Sequence, residues 1–187
     1  MRKLTIVLAM TSSLLSMQAA TAASSGHNNN NINFQVNDTT VSGGIQAMPN
    51  DNLQFSANGQ YSSDNGTIGN VGVDFVQQNG RVEYGLGAKA IVLFAKGHDD
   101  GGVLALGGHY AYQLNDRLKA GGDVYYSPDI LSFHHIDRYL SYGVKASYNA
   151  VDNVNVVVGW RRTTFGYSAG PDLRYQNNFY IGSDYSF

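Results

Sequence analysis

From Asn52 to the C-terminus, apolar residues recur at every second position, with small or polar residues between them. A period of two belongs to a β-strand with one apolar face. Eight such segments are legible. Leu53, Phe55, Ala57, Gly59 and Tyr61 alternate with Asn52, Gln54, Ser56, Asn58 and Gln60, and Val71, Val73 and Phe75 alternate with Asn70, Gly72 and Asp74. A third segment sets Val82 to Phe94 against Arg81, Glu83, Gly85, Gly87 and Lys89, and a fourth sets Leu104 to Leu114 against Ala105, Gly107, His109 and Gln113. Leu118 to Tyr126 oppose Lys119, Gly121, Asp123 and Tyr125; Leu140 to Ala150 oppose Tyr139, Ser141, Gly143, Lys145, Ser147 and Asn149. Val154, Val156, Val158 and Trp160 oppose Asn155, Val157, Gly159 and Arg161. In the last segment Tyr175, Phe179, Ile181, Tyr185 and Phe187 oppose Arg174, Gln176, Asn178, Tyr180, Gly182 and Asp184.

The charges obey the same alternation. Asp74, Glu83, Lys89, His109, Lys119, Asp123, Lys145, Arg161, Arg174 and Asp184 all fall on the non-apolar side. The connections alternate too: short turns at Gln78–Gly80, Asn115–Asp116 and Val151–Asn153, and longer loops over 62–68, 96–101, 127–137 and 166–173. Outer-membrane barrels use short turns on the periplasmic side and longer loops outside. A strand of about eleven residues, rising ~3.3 Å per residue and tilted ~40–45°, spans roughly 25 Å, the height of their lipid-facing band. Tyr61, Phe94, Tyr112, Tyr126, Tyr148, Phe165 and Phe187 lie near strand ends, where aromatic rings form interfacial girdles. The expected fold is therefore all-β, an eight-stranded antiparallel up-and-down transmembrane β-barrel over residues 52–187.

The N-terminus agrees with export. Met1-Arg2-Lys3, an apolar run from Leu4 to Leu15 and Ala20-Thr21-Ala22 form a secretory signal peptide over residues 1–22. Residues 23–51 start with a polar, Asn-rich stretch and then show Ile32, Phe34 and Val36 in alternation, followed by a weaker run from Val41 to Ile45. They are expected to form a periplasmic lead. A hairpin of two short strands, making ten in all, is the alternative, because a single added strand would start the chain on the wrong side of the membrane.

The Gly-rich alternating strands, the loop opening Tyr125-Tyr126-Ser127-Pro128-Asp129 and the closing Tyr180-Ile181-Gly182-Ser183-Asp184-Tyr185-Ser186-Phe187 resemble the YfaZ family of small bacterial outer-membrane proteins. The resemblance covers nearly the whole mature chain. It implies an outer-membrane barrel and carries over no catalytic residue. Phe179, Ile181, Tyr185 and Phe187 also resemble the terminal signal read by the barrel assembly machinery, which is the partner expected during biogenesis.

Composition narrows the function classes. With 12 basic and 14 acidic residues and no basic block, nucleic acid is not an expected partner. The chain has no cysteine, so no disulfide supports it in an oxidising compartment. The inward charges are expected to pair as a lumen network, with Asp123 and Lys145 as neighbours; a polar permeation path is the alternative. Ser132, His134, His135 and Asp137 supply the residue types of a hydrolase but no Gly-x-Ser-x-Gly elbow, which leaves a lipid A or phospholipid hydrolase or acyltransferase as the lesser alternative. His98-Asp99-Asp100 and His134-His135 lack regular metal-ligand spacing, so no metal and no cofactor is expected. The leading expectation is a monomeric, non-enzymatic barrel in contact with outer-membrane lipid and lipopolysaccharide, with a structural or surface-interaction role. A narrow channel or lateral route for small molecules is the runner-up. Arg162 follows lumen-facing Arg161 and so points to the outer interface, within reach of lipopolysaccharide phosphate.

The face assignment predicts that Val158→Arg costs ~2–4 kcal/mol by setting a charge against mid-bilayer lipid, while Ser147→Arg costs clearly less. Unfolding titrations in lipid bilayers measure both, and equal penalties would reverse the assignment.

Overall fold

The computed structural model describes residues 30–168 and 170–187; the expected signal peptide and residues 23–29 of the lead lie outside the described residues. The strands are β1 (Asn31–Val36), β2 (Thr40–Asn50), β3 (Leu53–Ser62), β4 (Gly66–Asn79), β5 (Val82–Ala95), β6 (Gly101–Gln113), β7 (Leu118–Ser127), β8 (Ser132–His134), β9 (Ile136–Val151), β10 (Val154–Tyr167) and β11 (Leu173–Ser186). Ten of them pair antiparallel with their chain neighbours, and β11 pairs back onto β1 to close a barrel. The extra strand, β8, has three residues; it follows a 3-10 turn at Asp129–Leu131 and pairs with β6 from Gly101 to Val103, beyond the end of the β6–β7 ladder.

The expected eight strands are thus corrected to ten, and the hairpin alternative is the one observed. Ile32, Phe34 and Val36 pair with Tyr185, Ser183 and Ile181, so residues 31–50 are wall and not a periplasmic lead. Closure explains why two strands are needed. An open edge would leave a row of amides and carbonyls facing lipid, where each unsatisfied group costs several kcal/mol. With an even number of strands, both ends of the wall meet on one side, where Phe187 N donates to Asn30 O at 3.0 Å.

The strands are strongly tilted. Following paired residues from Val36 one way leads through Val41 and Tyr61 to Thr67 on β4. The other way runs through Ile181, Val158, Ala146, Ala120, Tyr112 and Val82 to Asn79, twelve residues along the same strand from Thr67. A stagger of that size corresponds to a tilt of about 40°. Apolar outward residues such as Leu86 and Phe179, 73% and 80% exposed, cover the exterior. Such a surface is stable only against hydrocarbon.

The register shifts at four places in the described wall, and the shift on β11 is the one that moves candidate residues. Thr163 pairs with Gln176 and Thr164 with Arg174, so Tyr175 is the extra residue of a β-bulge. A one-residue insertion inverts every face beyond it. Tyr175 therefore points inward, not outward as expected, and is 1% exposed; Arg174, expected in the lumen, is exposed and does not line the interior cavity. Phe165, expected in a girdle, is also inside the barrel and fully buried.

Inside, glycines stand opposite large side chains. Gly87 is paired with Asp74, Gly107 with Tyr125, Gly85 with His109 and Gly72 with Lys89. A barrel of this size has an interior that side chains nearly fill, so each large residue requires a small neighbour. A Cβ on Gly87 would lie 2.1 Å from Val73 O and 2.5 Å from Asp74 Oδ1, whereas a Cβ on outward Gly59 meets nothing within 4 Å. Gly87→Ala is expected to destabilise the barrel by ~1–3 kcal/mol through overpacking, and Gly59→Ala by less than about 0.5 kcal/mol, as read from unfolding midpoints in detergent or bilayers.

Candidate functional site

The interior has two zones. From mid-wall to the turn end, inward side chains are polar and surround a cavity of about 490 Å³ that reaches Asn31, Gln78 and Ser186. Toward the loop end, inward side chains become large and apolar. Ile68, Ile91, Leu93, Val103, Tyr125, Ile136, Tyr139, Phe165, Leu173 and Tyr175, with Ala105, form one buried cluster contributed by β4 to β7 and β9 to β11. Tyr139 and Phe165 pack with tilted rings at 4.9 Å between centroids, and Phe165 meets Tyr175 edge-on at 6.4 Å. The bulge makes this contact possible by turning Tyr175 inward. Its hydroxyl donates to Gly66 O at 2.9 Å, tying β11 to the start of β4. The cavity ends against Ile68, Ile91, Tyr125 and Tyr139.

Nine of the ten candidate lumen residues line this cavity: Asp74, Glu83, Lys89, His109, Lys119, Asp123, Lys145, Arg161 and Asp184. Arg174 is the exception, for the reason given above. Arg161 Nη2 donates to Asp123 Oδ1 at 2.8 Å across Gly143, which is paired with both residues and has no side chain to separate them. The expected Asp123–Lys145 pair is not formed. Lys145 is in register with Gly121, one inward position away from Asp123, and the planar guanidinium of Arg161 occupies the carboxylate instead. Lys145 and Asp184 face the cavity with no oppositely charged side chain within 4.0 Å among the described residues.

Lys119 Nζ donates to Glu83 Oε2 at 2.8 Å, with His109 Nε2 3.9 Å from the other oxygen of that carboxylate. Tyr125 donates to Asp74 Oδ1 at 2.5 Å, and Lys89 Nζ lies 3.6 Å from the Tyr125 ring centroid, a cation–π contact. Tyr125 thus joins the polar zone to the apolar cluster, a role that alternation alone does not single out. The apolar cluster did leave a signal: Ala90-Ile91-Val92-Leu93-Phe94 is apolar on both faces, as a strand end buried on both sides must be.

The loop candidates do not converge. Ser132 Oγ donates to Pro128 O at 3.0 Å and lies 3.3 Å from Ser127 Oγ, and none of its hydrogen bonds involves a histidine. His134 is exposed in a left-handed conformation, φ 66°. His135 Nδ1 lies 3.7 Å from Asp99 on the neighbouring loop, while Asp137 accepts a hydrogen bond from Ser168. Among the described residues, no group of three or more His, Cys, Asp or Glu side chains has metal-binding geometry. The terminal residues Phe179, Ile181, Tyr185 and Phe187 are exposed on the outer wall.

Known proteins share this architecture. The chain superimposes on the outer-membrane protease OmpT of Escherichia coli with a TM-score of 0.53 at 12% identity, covering 87% of this chain and 94% of that one. With the outer-membrane channel DcaP of Acinetobacter baumannii the TM-score is 0.48 at 14% identity over 88% of this chain, which spans only 55% of DcaP. In sequence, outer membrane protein YfaZ of Escherichia coli K12 is 26% identical over 136 residues, 72% of this chain and 75% of the relative. A model of the family described as YfaZ precursor matches residues 1–187. A closed barrel with an apolar exterior, together with a family match along its whole length, establishes that this outer-membrane β-barrel protein belongs to the YfaZ family.

Proposed function

We propose that this protein is a monomeric, non-enzymatic and non-conducting barrel whose role in the envelope is structural or is exercised through its outer loops and lipid-facing wall. One observation carries this reading: the buried apolar cluster around Phe165 and Tyr175 lies across the loop end of the interior, above the polar cavity. Ions crossing there would have to shed water among aromatic and branched aliphatic side chains with no compensating ligand, which is costly. The inward charges below the cluster number four acidic and four basic, with His109 in addition. Two of the pairs, Arg161–Asp123 and Lys119–Glu83, act in this reading as a scaffold that holds the wall in register. Outer-membrane lipid, lipopolysaccharide and, during insertion, the barrel assembly machinery are the proposed partners.

The polar cavity favours a second reading, a narrow channel in which the apolar cluster is a displaceable gate. Planar-bilayer recordings separate the two. Wild type is expected to stay silent, while Phe165→Ala combined with Tyr175→Ala, which empties the seal, opens resolvable conductance steps. Sustained steps from wild type that change in Lys145→Ala would replace the structural reading with the channel. The scaffold role makes its own demand: Asp123→Ala, which strands the Arg161 charge, is expected to cost roughly 1–3 kcal/mol in unfolding titrations, whereas Lys145→Ala costs less than about 0.5 kcal/mol.

A further inference from the structure

The outer wall is not equally apolar all the way round. On β5 the outward apolar set runs to Phe94, one residue from the strand's end. On β10 it stops at Trp160, well short of Tyr167, and on β11 it stops at Phe179. Beyond them toward the loop end, the same outward face carries Arg162 and Thr164 on β10, and Asn177 and Arg174 on β11. Arg162 is paired with Asn177 and Thr164 with Arg174, so the two arginines are diagonal neighbours across adjacent strands. Arg174 is in this patch only because the Tyr175 bulge turns it out of the lumen.

The wall is also low here. β1 ends at Val36, opposite Ile181, and β11 continues to Leu173 with no β1 partner from Tyr180 onward. Above the turn at Asn37–Thr39 the β11 edge is met only by side chains: Asn178 Nδ2 donates to Asp38 Oδ1 at 2.6 Å, and Asn65 Nδ2 of the β3–β4 loop donates to Tyr175 O at 2.9 Å. Neither Arg162 nor Arg174 has a carboxylate within 4.0 Å among the described residues. Arg138, by contrast, is an outer-rim arginine already neutralised by Asp172 at 2.7 Å. Just below the patch, toward mid-membrane, lies an open apolar groove of about 1090 Å³ in the outer wall, lined by Val36, Ala146, Val158, Trp160, Phe179 and Ile181 among others. Tyr142 meets Trp160 edge-on at 5.6 Å beside it.

At the loop end an outward arginine costs only ~0–1 kcal/mol against lipid, but two unpaired ones side by side add mutual repulsion. An anionic headgroup lying against the outward face of Arg162 and Arg174 relieves that repulsion. We propose that this patch is a binding site for the phosphorylated disaccharide headgroup of an outer-leaflet glycolipid. Arg162 and Arg174 take its phosphate oxygens through charge-assisted hydrogen bonds. Thr164 and Asn177 supply hydrogen-bonding groups for sugar hydroxyls, and an acyl chain lies in the groove against Trp160, Phe179 and Val158. The site is on the outside of the wall and is independent of whether the lumen conducts.

Trp160 is the chain's single tryptophan, so its emission reports on the groove directly. Titrating the folded, detergent-solubilised barrel with bisphosphorylated lipid A is expected to give a saturable change in Trp160 fluorescence. Arg162→Gln and Arg174→Gln should each weaken the apparent affinity about tenfold, or ~1.4 kcal/mol, while Arg138→Gln leaves it unchanged. Enzymatically dephosphorylated lipid A tests the same contact without mutation and should bind wild type at least about tenfold more weakly. Unchanged affinity for the dephosphorylated lipid or for the Arg162→Gln, Arg174→Gln double variant would overturn the proposal. Equally tight binding of phosphatidylglycerol would also overturn it, by reducing the patch to a general phospholipid contact.

Discussion

Every backbone amide and carbonyl in this wall must find its partner on a neighbouring strand, because lipid supplies none. That requirement makes the sheet antiparallel, closed and even-stranded, and it turns a hairpin of modest sequence, β1–β2, into an indispensable part of the molecule. Without those two strands, β11 and β3 would each present a bare edge to hydrocarbon. The same requirement sets the division of labour between the faces: with the backbone fully occupied, side chains alone must match lipid outside and one another inside.

The inside is matched by pairing bulk with absence. Asp74 beside Gly87, His109 beside Gly85, Tyr125 beside Gly107 and Arg161 beside Gly143 repeat one rule, a large polar group next to a residue with no side chain. The high glycine content, 22 residues, is thus largely a packing device. It lets charged groups reach across a strand to partners two strands away, as Arg161 does to reach Asp123. Toward the loop end the rule changes, and aromatic and branched aliphatic side chains fill the space by contact with one another.

Most of the fold was legible because one rule, alternation, governs nearly every strand, and the length of each run matches a bilayer. Nine lumen residues could be named from parity alone. The failures have local physical causes. β1 and β2 are hard to read because Gly43, Gly44 and Pro49 dilute their apolar signal, although closure demands them. Tyr175 and Arg174 were placed on the wrong faces because a bulge adds one residue without changing composition, and parity has no memory of such a slip. Lys145 was paired with Asp123 because depth can be counted along strands, whereas the reach of Arg161 over Gly143 depends on three-dimensional room.

The two ladders that hold strand β1, to β2 and to β11, have six residue pairs each, fewer than any other ladder that completes the barrel. The seams that flank β1 are therefore the cheapest places to unzip the cylinder. A short stave finishes the cask, and its two joints are the ones with the fewest rungs to hold against lipid.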